Sequence, residues 1–164
     1  MNRPTWAQTW MAMADAMALR SKCVGAQVGA VIVTRDNRLA AASYNGPAAG
    51  FRVQQYDGPQ EPIGDCSHWC PRMKTGDKSP IYGLNCPSIH AEANALLRAD
   101  FTDISGGTLY STRGICADCA KLISNSGLTH VVHRVTESDL HRDPAAVENY
   151  LELCGLTIKR VTHE

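Results

Sequence analysis

Apolar residues recur along the chain with two different periods, and the switches between them mark out the elements. After Pro4, the spacing Trp6, Trp10, Met13, Met17 follows one face of an amphipathic helix with the proline in its first turn. That Met and Trp stripe reads as core. Arg20-Ser21-Lys22-Cys23 closes the helix, and residues 28–33 form an almost unbroken apolar run, the pattern of a strand covered on both faces. Arg35-Asp36-Asn37 turns the chain, and residues 39–44 return as a second strand. From 45 to 88 the periodicity stops, and Gly, Pro and Asp take over. It resumes with a helix over 90–99, a strand over 108–112 and a helix over 116–125, with Gly127 just past its end. A strand over 129–133, a helix opened by Pro144 and running to about 154, and a strand over 156–161 complete the chain. The order αββ followed by repeated αβ predicts an α/β protein: a mostly parallel sheet with helices on both faces, one domain over 1–164.

Composition narrows this picture. At 164 residues and 44% hydrophobic content the chain can bury a core of its own. No apolar run is long enough to span a bilayer, and the alternating Ala, Met, Trp, Asp and Gln near the N-terminus are unlike a signal peptide, so a cytoplasmic protein is expected. Sixteen basic and sixteen acidic residues cancel, with no basic run to follow a long polyanion. A small substrate is therefore favoured over nucleic acid. Seven cysteines, an odd number with no secretion signal, argue for metal ligation rather than a disulfide framework.

The chemistry gathers at His90-Ala91-Glu92 and Cys116-Ala117-Asp118-Cys119. A histidine and two cysteines can hold one zinc and leave its fourth position to water, while Glu92 stays off the metal and shuttles protons. Cysteines three apart in a first helical turn put both sulfurs on one face, and a helix N-terminus favours the thiolate. His90 and Glu92, only two apart, converge only if His90 sits at the very start of its helix. Two helix N-termini must then meet at one metal. Hydroxide formed on such a zinc at neutral pH can attack the amine-bearing carbon of an aminopyrimidine, with Glu92 relaying protons to the ring nitrogen and the departing ammonia. A purely structural zinc would leave Glu92 and the missing fourth protein ligand unexplained.

A second metal is expected. A loop as long as 45–88 needs something to pin it. It carries Cys66, Cys70 and Cys86, with Cys23 the likeliest fourth ligand of a structural zinc and His68 the alternative. Trp69 is expected to pack on this zinc-binding insertion, Cys154 to lie in the core, and His130, His133, His141 and His163 to be ordinary surface or core residues.

The stretch 90–95 with 116–121 resembles the zinc-dependent cytidine and deoxycytidylate deaminase superfamily. Val28 to Ile32, Tyr44-Asn45-Gly46 and Thr108-Leu109-Tyr110 bring it closer to the deoxycytidylate (dCMP) deaminases of bacteria and phages, and Ser21-Lys22-Cys23 with the cysteine-bearing loop resembles the phage enzymes with a second zinc. The resemblance runs from about residue 5 to 160. It implies a three-layer α-β-α cytidine-deaminase fold on a five-stranded, mixed, mostly parallel sheet. It also implies a homohexamer that converts dCMP to dUMP and ammonia for thymidylate synthesis, in the host cytoplasm if phage-encoded, with dCTP and dTTP as effectors. By the same likeness Asn45 contacts the nucleotide, the backbone of Ala91 faces the pyrimidine carbonyl, and Tyr110 lies near the ring. Lys22 and Arg20 are the candidates for the 5′-phosphate. Two departures stand out. Ile115 replaces the proline usual before the first cysteine, and Pro47 comes one place early in the segment tied to regulation. Arg113 puts a cation at the pocket wall, which points to a 5-substituted dCMP as an alternative substrate. The other readings are a tRNA-adenosine or single-strand cytosine deaminase, and a non-catalytic zinc-bound interaction protein.

Overall fold

The computed structural model describes residues 3–49, 51, 65–68, 70–77 and 83–162. Helix α1, Trp6–Ala18, begins at a capping box: the Thr5 side chain accepts from the Gln8 amide, and the Gln8 side chain accepts from the Thr5 amide. Pro4 therefore precedes the cap rather than lying in the first turn. The buried stripe is Trp10, Met11, Ala14 and Ala18, one step round the helix from the expected one. Trp6 is 56% exposed and stacks on Trp10 with ring centroids 5.7 Å apart. The Trp10 indole in turn donates to Asn37 Oδ1 at 2.8 Å, tying α1 to the first hairpin turn.

Strand β1, Gly29–Val33, is buried throughout, and β2, Leu39–Tyr44, returns antiparallel to it. Where one helix is expected over 90–99, helix α3 spans Ala91–Leu96 and is followed by a short α4, Phe101–Ile104. The side chain of Asp100 caps α4 by accepting from the Thr102 amide at 2.8 Å. Then come β5, Thr108–Ser111, α5, Ala117–Ser124, β6, His130–His133, α6, Pro144–Leu153, and β7, Thr157–Arg160. The sheet order is β2-β1-β5-β6-β7, with β2 and β7 at its edges. Pairings β1–β2 and β1–β5 are antiparallel, while β5–β6 and β6–β7 are parallel. Thus four strands share a direction and β1 alone opposes them: the mixed five-stranded sheet that was expected.

Each sheet face has its own core. On one side α1 contributes Trp10, Met11 and Ala14 against Val31, Val33, Tyr110 and Val132. On the other, Ala91 and Ala95 of α3, Cys119 and Ile123 of α5 and Leu151 of α6 pack against Ile32, Leu109 and Val131. The site grows from this second face. Within the long segment after β2, β3 (Gly46–Pro47) pairs antiparallel with β4 (Ser88–Ile89) and brings its two ends together. Among the described residues between them lie a 3-10 turn, Cys66–His68, helix α2, Pro71–Thr75, and a second 3-10 turn, Gly83–Asn85. Trp69 and the side chain of His68 lie outside the described residues. No described helix is long and apolar enough to cross a membrane.

One glycine sets how closely the α1 layer sits. A Cβ at Gly29 would stand 1.9 Å from the Ala14 carbonyl oxygen and 2.7 Å from the Ala18 nitrogen, all of it rigid backbone. Gly29→Ala must push helix and strand apart, and a loss of about 2–4 kcal/mol is expected from urea unfolding midpoints. A loss below about 1 kcal/mol would show that the layer yields more easily than this contact implies.

Candidate active site

Two helices start at the same point. His90 is the N-cap of α3 and Cys116 the N-cap of α5, both in extended backbone with ψ of 153° and 162°. This arrangement lets a histidine and a glutamate two positions apart serve one centre. His90 Nδ1 lies 3.2 Å from Cys116 Sγ and 3.5 Å from Cys119 Sγ. Among the described residues, this trio is the group of metal-binding side chains whose ligand atoms all fall within 4.8 Å of one another. The Cys119 amide donates to Cys116 Sγ at 3.5 Å, as an N-cap side chain permits at the first turn.

Glu92 is 3% exposed and lies behind the trio. Its Oε1 accepts from Ser111 Oγ at 2.7 Å, and its Oε2 stands 3.7 Å from Cys119 Sγ. The serine is fully buried at the end of β5. Strand alternation puts Ser111 and Leu109 on the α3–α5 side and Tyr110 on the other. Tyr110 accordingly packs among Trp10, Met11 and Val132. The Tyr110 side chain, expected near the substrate ring, thus faces the α1 layer, because a strand turns consecutive side chains to opposite faces.

The electrostatics suit a cation. The Cys116 thiol is pulled down to about 3 by its hydrogen bond from Cys119 and by His90. Its thiolate, together with burial, pushes Cys119 up, while the hydrogen bond to Cys116 raises His90 against the opposing effect of burial. Two sulfurs this close cannot both ionise unless a positive ion joins them. A zinc-type donor set of one imidazole and two thiolates therefore fits these residues.

The second cysteine group packs together without forming a cluster as tight as the first trio. Cys66 and Cys70 are each 3% exposed and pack with Cys23, Cys86 and Met73. The Cys66 amide donates to the Lys22 carbonyl at 2.8 Å, and the Val24 amide donates to Cys66 Sγ at 3.3 Å. Burial, with Cys23 and Cys70 nearby, raises the Cys66 thiol to about 11, and burial likewise raises Cys86. The Cys66 and Cys86 thiols, raised by burial, resist ionising without a cation nearby. Cys154, expected in the core, is exposed after α6.

The remaining candidates are spread around this centre. Asn45 is buried, and its side chain accepts from the Val28 amide at 2.8 Å and donates to the Ala26 carbonyl at 2.9 Å. Ala91, wholly buried, is the first residue of α3, where an amide has no acceptor within its own helix. Lys22 lines a cavity of about 520 Å³ with Ser21, Cys23, Gln27 and Asp65, and the Arg20 guanidinium sits 5.9 Å over the Tyr44 ring. Arg113, expected as a cation on the pocket wall, is engaged by Asp139 and Ser138. Three contributors were missed from sequence. Ser111 holds the carboxylate, Asn94 ties α3 to β2 through the Tyr44 carbonyl at 3.0 Å, and the charge of Arg142 reaches His90. Only Ser111 carried a signal, being a small hydroxyl on the same face of the strand as the apolar Leu109.

The sequence profile for the cytidine and deoxycytidylate deaminase zinc-binding region matches residues 4–135. The chain belongs to this family. Among its relatives, the deoxycytidylate deaminase of Mycobacterium phage D29 is 38% identical over 138 residues, covering 81% of this chain and 97% of that one. The human deoxycytidylate deaminase is 28% identical over 157 residues, covering 94% and 79%. In fold, the chain is similar to the dCMP deaminase of cyanophage S-TIM5 solved with dCMP and dUMP, at a TM-score of 0.69 and 24% identity over 98% of this chain and all of that one. The deaminase fold thus accounts for the sheet and for both helix starts.

Asp139, which this family member buries beside the site, gives an acid-stability test. Burial alone would raise its carboxyl, but hydrogen bonds from Arg113, Thr136 and Gly114 outweigh it and hold it at about 2, below an ordinary 3.8. Its stabilisation, about 2 kcal/mol, is complete above 3.8 and disappears as pH falls toward 2. The urea midpoint of the native protein should therefore exceed that of Asp139→Asn by most at neutral pH, and the gap should narrow steadily below pH 4 toward pH 2. A constant gap from pH 7 to pH 2.5 would remove this role from Asp139.

Proposed function

We propose that this protein catalyses the zinc-dependent hydrolytic deamination of dCMP to dUMP and ammonia, which supplies dUMP for thymidylate synthesis in the cytoplasm. The observation that carries this reading is the buried Glu92 carboxylate, fixed by Ser111 beside the convergent His90, Cys116 and Cys119. Those three residues would hold the zinc. When bound, the metal supplies Lewis acidity that makes water a nucleophile at neutral pH.

The chain's own groups do the rest. With Oε1 engaged by Ser111, Glu92 keeps Oε2 to take a proton from the attacking water. Glu92 then returns that proton to the ring nitrogen beside the amine-bearing carbon, and assists protonation of the leaving ammonia. One water is consumed for each ammonia released, so no further reactant is needed. The unpaired amide of Ala91 faces the pyrimidine carbonyl, and Asn45, which braces residues 26–28, contacts the nucleotide. Lys22 and Arg20 take the 5′-phosphate. Burial of Glu92 at 3% exposure keeps bulk water from competing for the relayed proton.

The same reading includes a second, structural zinc on Cys23, Cys66, Cys70 and Cys86, with His68 as the alternative ligand. The packing of these four thiols together supports it. The segment 45–88 is then a zinc-binding insertion within one domain over 1–164. Assembly as a homohexamer and regulation by dCTP and dTTP complete the proposal, supported by the family likeness.

Two measurements test it. Zinc-loaded protein is offered dCMP, CMP, deoxycytidine, 5-methyl-dCMP and a tRNA anticodon stem, and released ammonia is recorded. dCMP should be the best substrate, and Glu92→Gln should lower its turnover by about 10³-fold with zinc retained. Preference for 5-methyl-dCMP would move the substrate, ammonia from the RNA alone would replace it, and no ammonia at all would leave only a metal-binding protein. Metal analysis of the intact chain should give two zinc ions, falling to one in the double variant Cys66→Ser with Cys70→Ser. A single zinc in the intact protein rejects the second site.

A further inference from the structure

We infer that Asp139 is a positioning residue for the loop that carries Cys116, fixing the metal ligand from outside its own segment. This rests on the metal reading given above for His90, Cys116 and Cys119. The loop between Ser111 and Cys116 joins the end of β5, where Glu92 is held, to the start of α5, where the first sulfur sits. It includes Gly114, and a glycine gives a connection the most freedom to lose. Something must hold it if carboxylate and sulfur are to keep a fixed separation.

Asp139 does so with both carboxylate oxygens. Its side chain is 1% exposed. Oδ1 accepts from Arg113 Nη2 at 2.9 Å and from Nε at 3.2 Å, while Oδ2 accepts from the same Nε at 3.1 Å. Oδ2 also accepts from the Gly114 amide at 3.3 Å and from the amide and hydroxyl of Thr136, each at 2.9 Å. The Thr136 contacts form the capping box of the 3-10 helix Glu137–Arg142. One carboxylate is therefore anchored to a helix start on one side and grips two consecutive loop residues on the other. The fit is close: a Cβ on Gly114 would stand 3.1 Å from Asp139 Cβ and 3.2 Å from its Cγ. Gly114 is thus matched to the side chain that restrains it. Cys116 follows two residues later, and the intervening Ile115, at 1% exposure, is locked in the core. The grip falls between the two halves of the site, where it sets their spacing.

Asp139→Asn keeps the volume and removes the charge that orients the Arg113 fork. Hydrogen exchange at the amides of 112–117 should rise about tenfold, and transfer of the Cys116-dependent zinc to a chromogenic chelator should speed up by about 10–100-fold. Gly114→Ala should act in the same direction. Asn37→Ala serves as the destabilising control, because it loses the Trp10 contact at a turn where φ is 62°, beside the far end of the sheet. Exchange at 112–117 that is unchanged in Asp139→Asn, or raised equally in Asn37→Ala, overturns the inference. Zinc content unaffected by Cys116→Ser would instead sink the metal reading and with it the hold on a ligand. The two failures are distinguishable, since the exchange measurement needs no metal.

Discussion

Two helix starts facing one point would repel each other if nothing negative lay between them. His90 and Cys116 cap α3 and α5, so the amides of both first turns, that of Cys119 donating to Cys116 Sγ, look toward the same small volume. The negative charge there comes from the Cys116 sulfur and the Glu92 carboxylate. This mutual requirement, with the hydrogen bond from Ser111, explains why a glutamate with 3% exposure can remain in the core. The chemistry and the packing of these two helices are one constraint.

The sheet separates that constraint from the rest of the molecule. Alternation along β5 sends Leu109 and Ser111 to the site and Tyr110 to the layer under α1. The α1 layer has its own anchors. Gly29 allows backbone contact with Ala14, and Asp15 pairs with Arg134, whose Nη2 donates to Asp15 Oδ2 at 2.8 Å. The reactive groups therefore lie on one face of strands that are packed on both. Arg160 of β7, donating to Glu148 of α6 at 2.6 and 2.7 Å, similarly fastens that helix to the far edge of the sheet.

Much of this was legible in the sequence. The switch from helical to strand period located both core faces, and the two-residue gap between His90 and Glu92 already required a helix start at 90. What could not be read was anything that depends on distant pairing. Asp139 looks like an ordinary acidic residue in a polar stretch until folding brings it against Arg113 and Gly114, 25 or 26 positions earlier. The face of Tyr110 was likewise not legible, because a motif fixes a residue's position along a strand, whereas its face follows from the strand's neighbours. The offset of the α1 stripe has a similar cause. Trp6 gained an aromatic partner within its own helix, so it did not need the core.

The two rims of the sheet are unequally armed against aggregation. The outermost strand β7 ends in Lys159 and Arg160, whose charges make it costly for another chain's backbone to add on. The opposite rim, β2, reads Leu39-Ala40-Ala41-Ala42 with Leu39 48% exposed, and its main defence is a register irregularity opposite Ile32 and Val33. Under partial unfolding, the hairpin side is therefore where copies of this chain would first stick together.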